Sequence, residues 1–364
     1  MRVLICGGGA IGASIAYFLS LKGVEAVVIE RTGVACAASG KSGGFLARDW
    51  CDGSPQEALA RLSFDLHADL TEQLGADYGY RRVDTLQVAA GDGEMVGTYR
   101  RMPSPDWLDG NCAVYAMLGN VETTAQIHPG HFTRALMDKA IAQGARLRLG
   151  RVNGIELAAG SNAVTGVHVE NEVLPAGAVV IAMGPWSIAA AGWLPLPAVA
   201  GLKSHSITVR PQNPVPAQAL FVEFLSGPGR GESPEVVSRA DGEVYLCGIS
   251  DDLPLPSDPG EVVVSAHACR TLHRLAGGIS SALGEGEVTR MQACYRPICR
   301  DAMPVMGEVP GVRGAFVATG HNCWGMLNAP ASGLAMAELI ADGASKTVDL
   351  SPFDPARLPR APAP

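Results

Sequence analysis

The stretch LICGGGAIGASIAYFLSLKGVEAVVIER, residues 4–31, limits what this chain can fold into more than any other segment. Residues 3–6 are Val-Leu-Ile-Cys, apolar on both faces, as expected of a buried parallel strand. Gly7-Gly8-Gly9-Ala10-Ile11-Gly12 follows and fits G-x-G-x-x-G. Ile15, Phe18, Leu19 and Lys22 mark the turns of an amphipathic helix, which Gly23 stops. Residues 26–29 form a second apolar run that ends at Glu30, 30 − 12 = 18 residues after Gly12. Each part has a physical task. Gly7 permits the tight turn out of the strand, and Gly9 lacks the Cβ that would keep a pyrophosphate off the backbone. Gly12 and Ala16 let the helix lie close to the sheet. The helix N-terminus offers free N–H groups, with Ala10 and Ile11 at its start, and a partial positive charge to phosphates. Glu30 can accept hydrogen bonds from both ribose hydroxyls, and its charge disfavours a 2′-phosphate. Strand, glycines, helix, strand and acid in this order predict a dinucleotide site, with FAD and NAD both open at this point.

At roughly 150 residues per domain, 364 residues predict about two domains. With 47% hydrophobic and 18% charged residues, the chain reads as globular. A net charge of -8 with no long basic run argues against nucleic acid or an anionic membrane as partner. Nine cysteines at irregular spacings include no Cys-x-x-Cys pair and no zinc pattern. We expect reduced thiols, no metal centre and a cytoplasmic protein. The opening run also reads poorly as a signal peptide or a membrane span. Gly7, Gly8, Gly9 and Gly12 break it, and Lys22 and Glu25 interrupt it before ~20 apolar residues accumulate.

Further along, residues 31–50 are rich in small residues and read as neither helix nor strand. Residues 55–74 read as a helix with Leu59, Leu62, Leu66 and Leu70 on one face, and 85–90 as a strand. Residues 91–120 read as irregular. The segment HPGHFTRALMDKAIAQGARL, from His128, begins a helix carrying Phe132, Leu136 and Ala140 and capped by Gly144. Short strands and a buried strand at 178–182 come next, then several strands over 205–249 and a helix over 261–275. A buried strand over 314–320 leads through a Gly-rich turn to a helix over 330–341, and the Pro-rich tail reads as extended. Dinucleotide-fold elements thus occur at the start, middle and end, with β-rich segments between them. This predicts two discontinuous domains, one α/β and one built on an antiparallel sheet.

The segments GGGAIGASIA…VVIER, AASGKSGGFLA, VVIAMGPWS and RPICRDAMPVMGEVPGVRGAFVATGHNCWGMLNAPASGLAMAELI together resemble the D-amino-acid oxidase, glycine oxidase and monomeric sarcosine oxidase family. The last segment discriminates against NAD reductases, which lack this strand-turn-helix. The resemblance implies an α/β plus α+β fold: a Rossmann-like FAD-binding domain with a discontinuous antiparallel-sheet substrate domain. The FAD-binding parts would be 1–80, 124–192 and 290–345, the substrate parts 81–123 and 193–289, and the tail 346–364. It implies FAD on Gly7, Gly9, Ala10, Ile11 and Gly12, with Glu30 and Arg31 at the adenosine ribose. Ala38, Ser39, Ser42, Gly43 and Gly44 would line the diphosphate and flavin edge, Val152 would meet the adenine, and Gly184 would close the pocket. Gly320, His321, Asn322, Cys323, Trp324, Gly325, Met326 and Leu327 would turn N–H groups toward the flavin C2 carbonyl, where negative charge grows on reduction.

For the substrate, the resemblance points to Arg296 in ACYRPI as the carboxylate arginine, a role suited to a bidentate guanidinium. Arg48 falls near a second arginine of the sarcosine oxidases, against the reading of a solvated arginine. His321 reads as supporting the flavin turn. His205 reads as a satisfied strand histidine and Lys41 as a solvated lysine. Cys294 occupies the position where sarcosine oxidases attach flavin, but its neighbours follow the glycine-oxidase pattern. A small buried thiol with FAD held non-covalently is the preferred reading. Cys323 replaces a substrate-side arginine of glycine oxidase, so the pocket is expected to be more apolar and to favour a larger or secondary amine. The oxygen-activating lysine of sarcosine oxidases is not evident in YLCGIS. The implied reaction is oxidation of an amino acid or amine to an imine, with oxygen or another acceptor taking the electrons. A dehydrogenase without oxidase activity, an NAD reductase, and a flavin-stabilised assembly protein without turnover are the alternatives.

Overall fold

The computed structural model describes residues 1–91, 93–225 and 231–362. Two sheets organise it. The first has six strands in the order Val305–Glu308, Ala315–Thr319, Ala178–Ile181, Arg2–Cys6, Glu25–Glu30, Arg146–Leu149. All neighbours are parallel except the edge strand Val305–Glu308, which runs antiparallel to Ala315–Thr319. The four strands at the centre of this sheet alternate between two apolar layers. Val3 and Ile5 face the helices Ala10–Leu21, Pro129–Ala142 and Gly325–Asp342, while Leu4 and Cys6 face a second layer with Val167, Leu194 and Leu196. That is the period-two pattern of a strand covered on both sides, and it explains why the opening run has no polar face.

The second sheet has seven strands in the order Glu287–Ile298, Ala200–Arg210, Val244–Asp251, Glu235–Ser238, Gln218–Leu225, Asp84–Gly91, Cys112–Gly119. Among the described residues of this sheet, only Gln218–Leu225 and Asp84–Gly91 pair in parallel. The amphipathic helix Ala266–Ile279, capped by the Ser265 hydroxyl, covers one face. Its Cys269, Leu272 and Ala276 pack on Leu220, Val236 and Leu246. The alternate residues Phe221, Glu235, Tyr245 and Cys247 turn to the other face and line a cavity against the first sheet.

Four expectations need correction. Residues 91–120 contain the helix Gly93–Val96 and the strand Cys112–Gly119, which forms only by pairing with the distant Asp84–Gly91. Residues 31–50 contain the helix Ala38–Lys41 and the strand Phe45–Ala47, the latter paired with Thr124–Gln126. The last helix begins at Gly325 rather than 330 and carries Pro330 inside it. The tail is not extended. It makes two 3-10 turns, Ser351–Phe353 and Pro355–Arg357, because Phe353 is fully buried and Arg357 pairs with Asp301 at 2.8 Å.

Candidate active site

A cavity of about 820 Å³ lies between the carboxyl ends of the first sheet's parallel strands and the open face of the second. Such strand ends are where doubly wound sheets bind ligands, because the chain diverges there and leaves backbone groups free. Gly7, Gly9, Ala10, Ile11, Glu30 and Arg31 line it at one end. Ala38, Ser39, Ser42, Gly43 and Gly44 come from the small-residue loop, and Val152 and Gly184 from the middle of the chain. His321, Asn322, Cys323, Trp324, Gly325 and Met326 arrive from the C-terminal turn. Gly12, Gly320 and Leu327 stand behind the lining. A more open groove of about 960 Å³ beside residues 306–313 and 343–356 carries none of these groups.

The local chemistry follows from the glycines. Gly7 sits at φ +115°, and a Cβ there would meet the Ala182 carbonyl oxygen at 2.4 Å. A Cβ on Gly12 would lie 2.0 Å from the Gly7 carbonyl oxygen. Glu30 is buried, and its Oε2 accepts the Gly8 N–H at 2.7 Å while Oε1 accepts the Thr32 N–H at 2.9 Å. The acid therefore braces the glycine turn as well as fronting the cavity. Arg31 pairs with Asp258 at 2.6 Å and donates to the Ser257 carbonyl, which holds the segment with Ser257 and Pro259 against the cavity.

A dinucleotide with a flavin fits this lining. Neither the helix Ala10–Leu21 nor the helix Gly325–Asp342 is capped by the side chain of its own N-cap residue, and the first turn of each lines the cavity. Ser42 Oγ and Asn322 Oδ1 are buried polar atoms on the lining with no partner among the described residues. Ser39 Oγ accepts the Ala10 N–H at 2.9 Å and stands 3.0 Å from where a Gly9 Cβ would be. The FAD-binding residues would accordingly be those of these turns. Among the described residues, no group of three His, Cys, Asp or Glu side chains converges for a metal.

The cavity is also lined by Arg296, Cys294, Cys323, Glu235 and Cys247, with Trp50, Phe221 and Trp324 as an aromatic wall. The ring of Trp50 lies 4.8 Å from Phe221 and 6.2 Å from Trp324. Arg296 Nε is buried without a partner among the described residues, and its guanidinium lies within hydrogen-bonding reach of the Cys323 thiol. Burial raises the Cys294 thiol, with Lys41 and Arg296 opposing. His321 is buried, contacts Ser332 Oγ through Nε2 at 3.0 Å, and is lowered to about 3 by that burial. It supports the turn as a neutral ring.

Arg48 is not brought to the cavity. Asp65 on the helix Glu57–Leu74 takes its Nε at 3.2 Å, so the expected carboxylate role has no geometric support. Lys41 is engaged rather than solvated, donating to the Ala293 carbonyl at 3.3 Å. His205 is satisfied, with Nδ1 against the Ile249 carbonyl and Nε2 accepting the Ser265 N–H. Glu235, Cys247, Phe221 and Trp50 were not singled out from the sequence. Glu235 opens a four-residue strand, where a carboxylate ordinarily reads as a solvated strand end. Only the alternation against the apolar Val236 hinted at an opposite, ligand-facing side.

The FAD dependent oxidoreductase family (DAO) matches residues 2–339 of this chain. The chain belongs to the DAO family. It is thus an FAD-dependent oxidoreductase by descent, related to amino acid oxidases and dehydrogenases. A relative from Schizosaccharomyces pombe, named as an oxidoreductase with no substrate, is 30% identical over 97% of each chain. Glycine oxidase of Geobacillus kaustophilus is 26% identical over 96% of this chain and 95% of its own. Its crystal structure covers 98% of this chain and 99% of its own, with a TM-score of 0.81. A D-amino acid dehydrogenase of Rhizorhabdus wittichii is 25% identical over 93% of this chain and 96% of its own. No helix among the described residues is long and apolar enough to cross a membrane.

Proposed function

We propose that this DAO-family protein oxidises a primary or secondary amino acid at its Cα–N bond. Arg296 carries this reading. A guanidinium with a buried, unpartnered Nε, turned into a cavity between two sheets, is an incomplete carboxylate receptor that a substrate completes. Trp50, Phe221 and Trp324 exclude water beside it and accept apolar substituents on carbon or nitrogen, which favours substrates larger than glycine. When bound, FAD supplies the two-electron, hydride-accepting chemistry of the reaction, and the resulting imine hydrolyses to a 2-oxo acid plus ammonia or amine. Orientation by Arg296 and the aromatic wall is the chain's own contribution. The FAD is non-covalent in this reading, because burial keeps Cys294 a protonated thiol, a weak nucleophile. Oxygen or another acceptor reoxidises the flavin. The nine free cysteines favour the cytoplasm as its compartment.

The test is bleaching of the bound flavin without oxygen by D-, L- and N-methyl amino acids, followed by admission of oxygen. Arg296→Met is expected to cut the bleaching rate per unit substrate by about 100-fold, the loss of a charge-assisted pair of ~3 kcal/mol. Unchanged bleaching in that variant rules out the carboxylate assignment. Flavin should appear in the supernatant after acid precipitation, whereas flavin in the pellet means a covalent bond. Oxygen uptake on admission separates an oxidase from a dehydrogenase.

A further inference from the structure

We propose that Glu235 docks the ammonium of a zwitterionic amino acid and takes a proton from it, with Arg296 holding the carboxylate. This rests on the amino-acid reading above and assigns the second charge of the substrate to a residue of its own.

The observations are geometric. Glu235 lies on the strand Glu235–Ser238 with Phe221 as its register partner on one side and Cys247 on the other. Register partners project to the same face, and all three line the cavity. The hydrogen-bond partner of the Glu235 carboxylate among the described residues is the Cys247 thiol, Sγ to Oε2 at 3.7 Å, a weak donor. Arg296 lies close enough to feel the Glu235 charge, yet among the described residues the Glu235 carboxylate is bonded to the Cys247 thiol and Arg296 Nε has no partner. Opposite charges free to meet in a low-dielectric site ordinarily do so. Here each keeps unfilled hydrogen-bonding capacity, and both line the same cavity. A zwitterion fills that arrangement with one charge on each residue, and the Trp50, Phe221 and Trp324 faces suit a cation beside the carboxylate.

The acid also solves a problem of protonation. An amino acid in water near neutral pH carries an ammonium, which has no lone pair to assist departure of the Cα hydrogen. The step is a proton transfer only. An N–H bond of the substrate breaks, an O–H bond forms on Glu235, and no electrons change hands. The products are a neutral amine and a neutral carboxyl group, while the carboxylate stays paired with Arg296. Burial raises the Glu235 carboxyl, against the pull of Arg296, which narrows the gap to the amine. The titratable groups facing it are Cys247, Cys323 and Arg296. Burial raises both thiols, so among the described residues Arg296 is the charged neighbour. Glu223, two residues from Phe221, is occupied by Gln87 and Tyr99.

The test compares 2-aminoisobutyrate with 2,2-dimethylpropanoate on the holoenzyme. The two are nearly isosteric, a methyl replacing the ammonium, and neither has a Cα hydrogen to lose. Dissociation constants are read from flavin absorbance or from the fluorescence of Trp50 and Trp324. The wild type is expected to favour the amino acid by about 10-fold or more, as for a partly buried charge pair. Glu235→Gln should bring the ratio near unity, mainly by weakening the amino acid, with flavin still bound. Glu235→Asp should keep part of the preference. In the wild type the preference should fall with acidification as Glu235 takes up a proton, and the methyl analogue should show no such limb. Arg296→Met should weaken both ligands alike. An unchanged ratio in Glu235→Gln overturns the role of Glu235 and leaves Arg296 standing. Undiminished binding of both ligands in Arg296→Met instead removes the carboxylate reading.

Discussion

Single residues set the geometry of the cofactor end. The Gly7 carbonyl oxygen stands where a Gly12 Cβ would go, so the turn and the first helix close on each other with no room for a methyl group. Gly12→Ala must shift the turn at the mouth of the cavity, where the proposed FAD pyrophosphate would sit. Overpacking of this kind costs ~1–3 kcal/mol, or about 5- to 150-fold in affinity for FAD if the whole cost falls on the bound state. The variant should purify pale, with far-ultraviolet circular dichroism like the wild type, and titration with FAD measures the loss. These glycine roles were legible in the sequence because a glycine requirement is local: it follows from spacing within one strand-turn-helix. The role of Glu235 was not, because its orientation depends on which strands flank it.

At the scale of elements, Pro330 shows how a local rule and a tertiary contact interact. A proline at this position leaves the Met326 carbonyl without its helical donor, and the sequence alone places the helix start at about Pro330. The helix in fact starts at Gly325, because the helix Glu57–Leu74 supplies the missing partners. His67 Nε2 contacts the Met326 and Leu327 carbonyls at 3.0 and 3.1 Å, and Ser63 Oγ accepts the Ala331 N–H at 3.0 Å. His67 acts as the donor in its Nε2–H tautomer. The same helix carries Gly333 against Ser14 of the first helix, with a distance of 2.4 Å from a virtual Cβ to the serine Cβ. His67→Leu keeps the apolar volume but strands two buried carbonyls. It should cost about 2–4 kcal/mol in urea unfolding and loosen the turn that lines the flavin end.

For the molecule as a whole, buried neutral histidines couple stability to pH. Burial lowers His67 and His128 to about 4 and His321 to about 3, from an ordinary value of 6.5. Below pH 6.5 the unfolded chain takes up protons at these sites and the folded one does not. Stability is therefore full above about 6.5 and falls as the pH drops toward about 4. Each histidine contributes at most ~1.4 kcal/mol per pH unit. Unfolding midpoints measured between pH 7 and 4.5 should decline on acidification, and His67→Gln should flatten the slope. A flat profile in the wild type would mean that these rings are charged in the folded state.

The amino-acid sequence by itself predicted a dinucleotide site and the alternation of α/β and β-rich segments, and its motif resemblance to the family pointed to Arg296. These depend on short-range spacing, on period-two and helical patterns, and on motifs whose parts lie close in the chain. Tertiary structure decided what those signals could not reach. It paired Cys112–Gly119 with Asp84–Gly91, tied Arg48 to Asp65, and carried the last helix through Pro330 on the donors of another helix. It also brought Glu235 to the same cavity as Arg296, from strands 61 positions apart, 296 − 235, in the chain. Charge and chemistry of a side chain are written in the residue. Which cavity it faces is set by the neighbours that sheet register gives it, and those are fixed only when the distant strands pair.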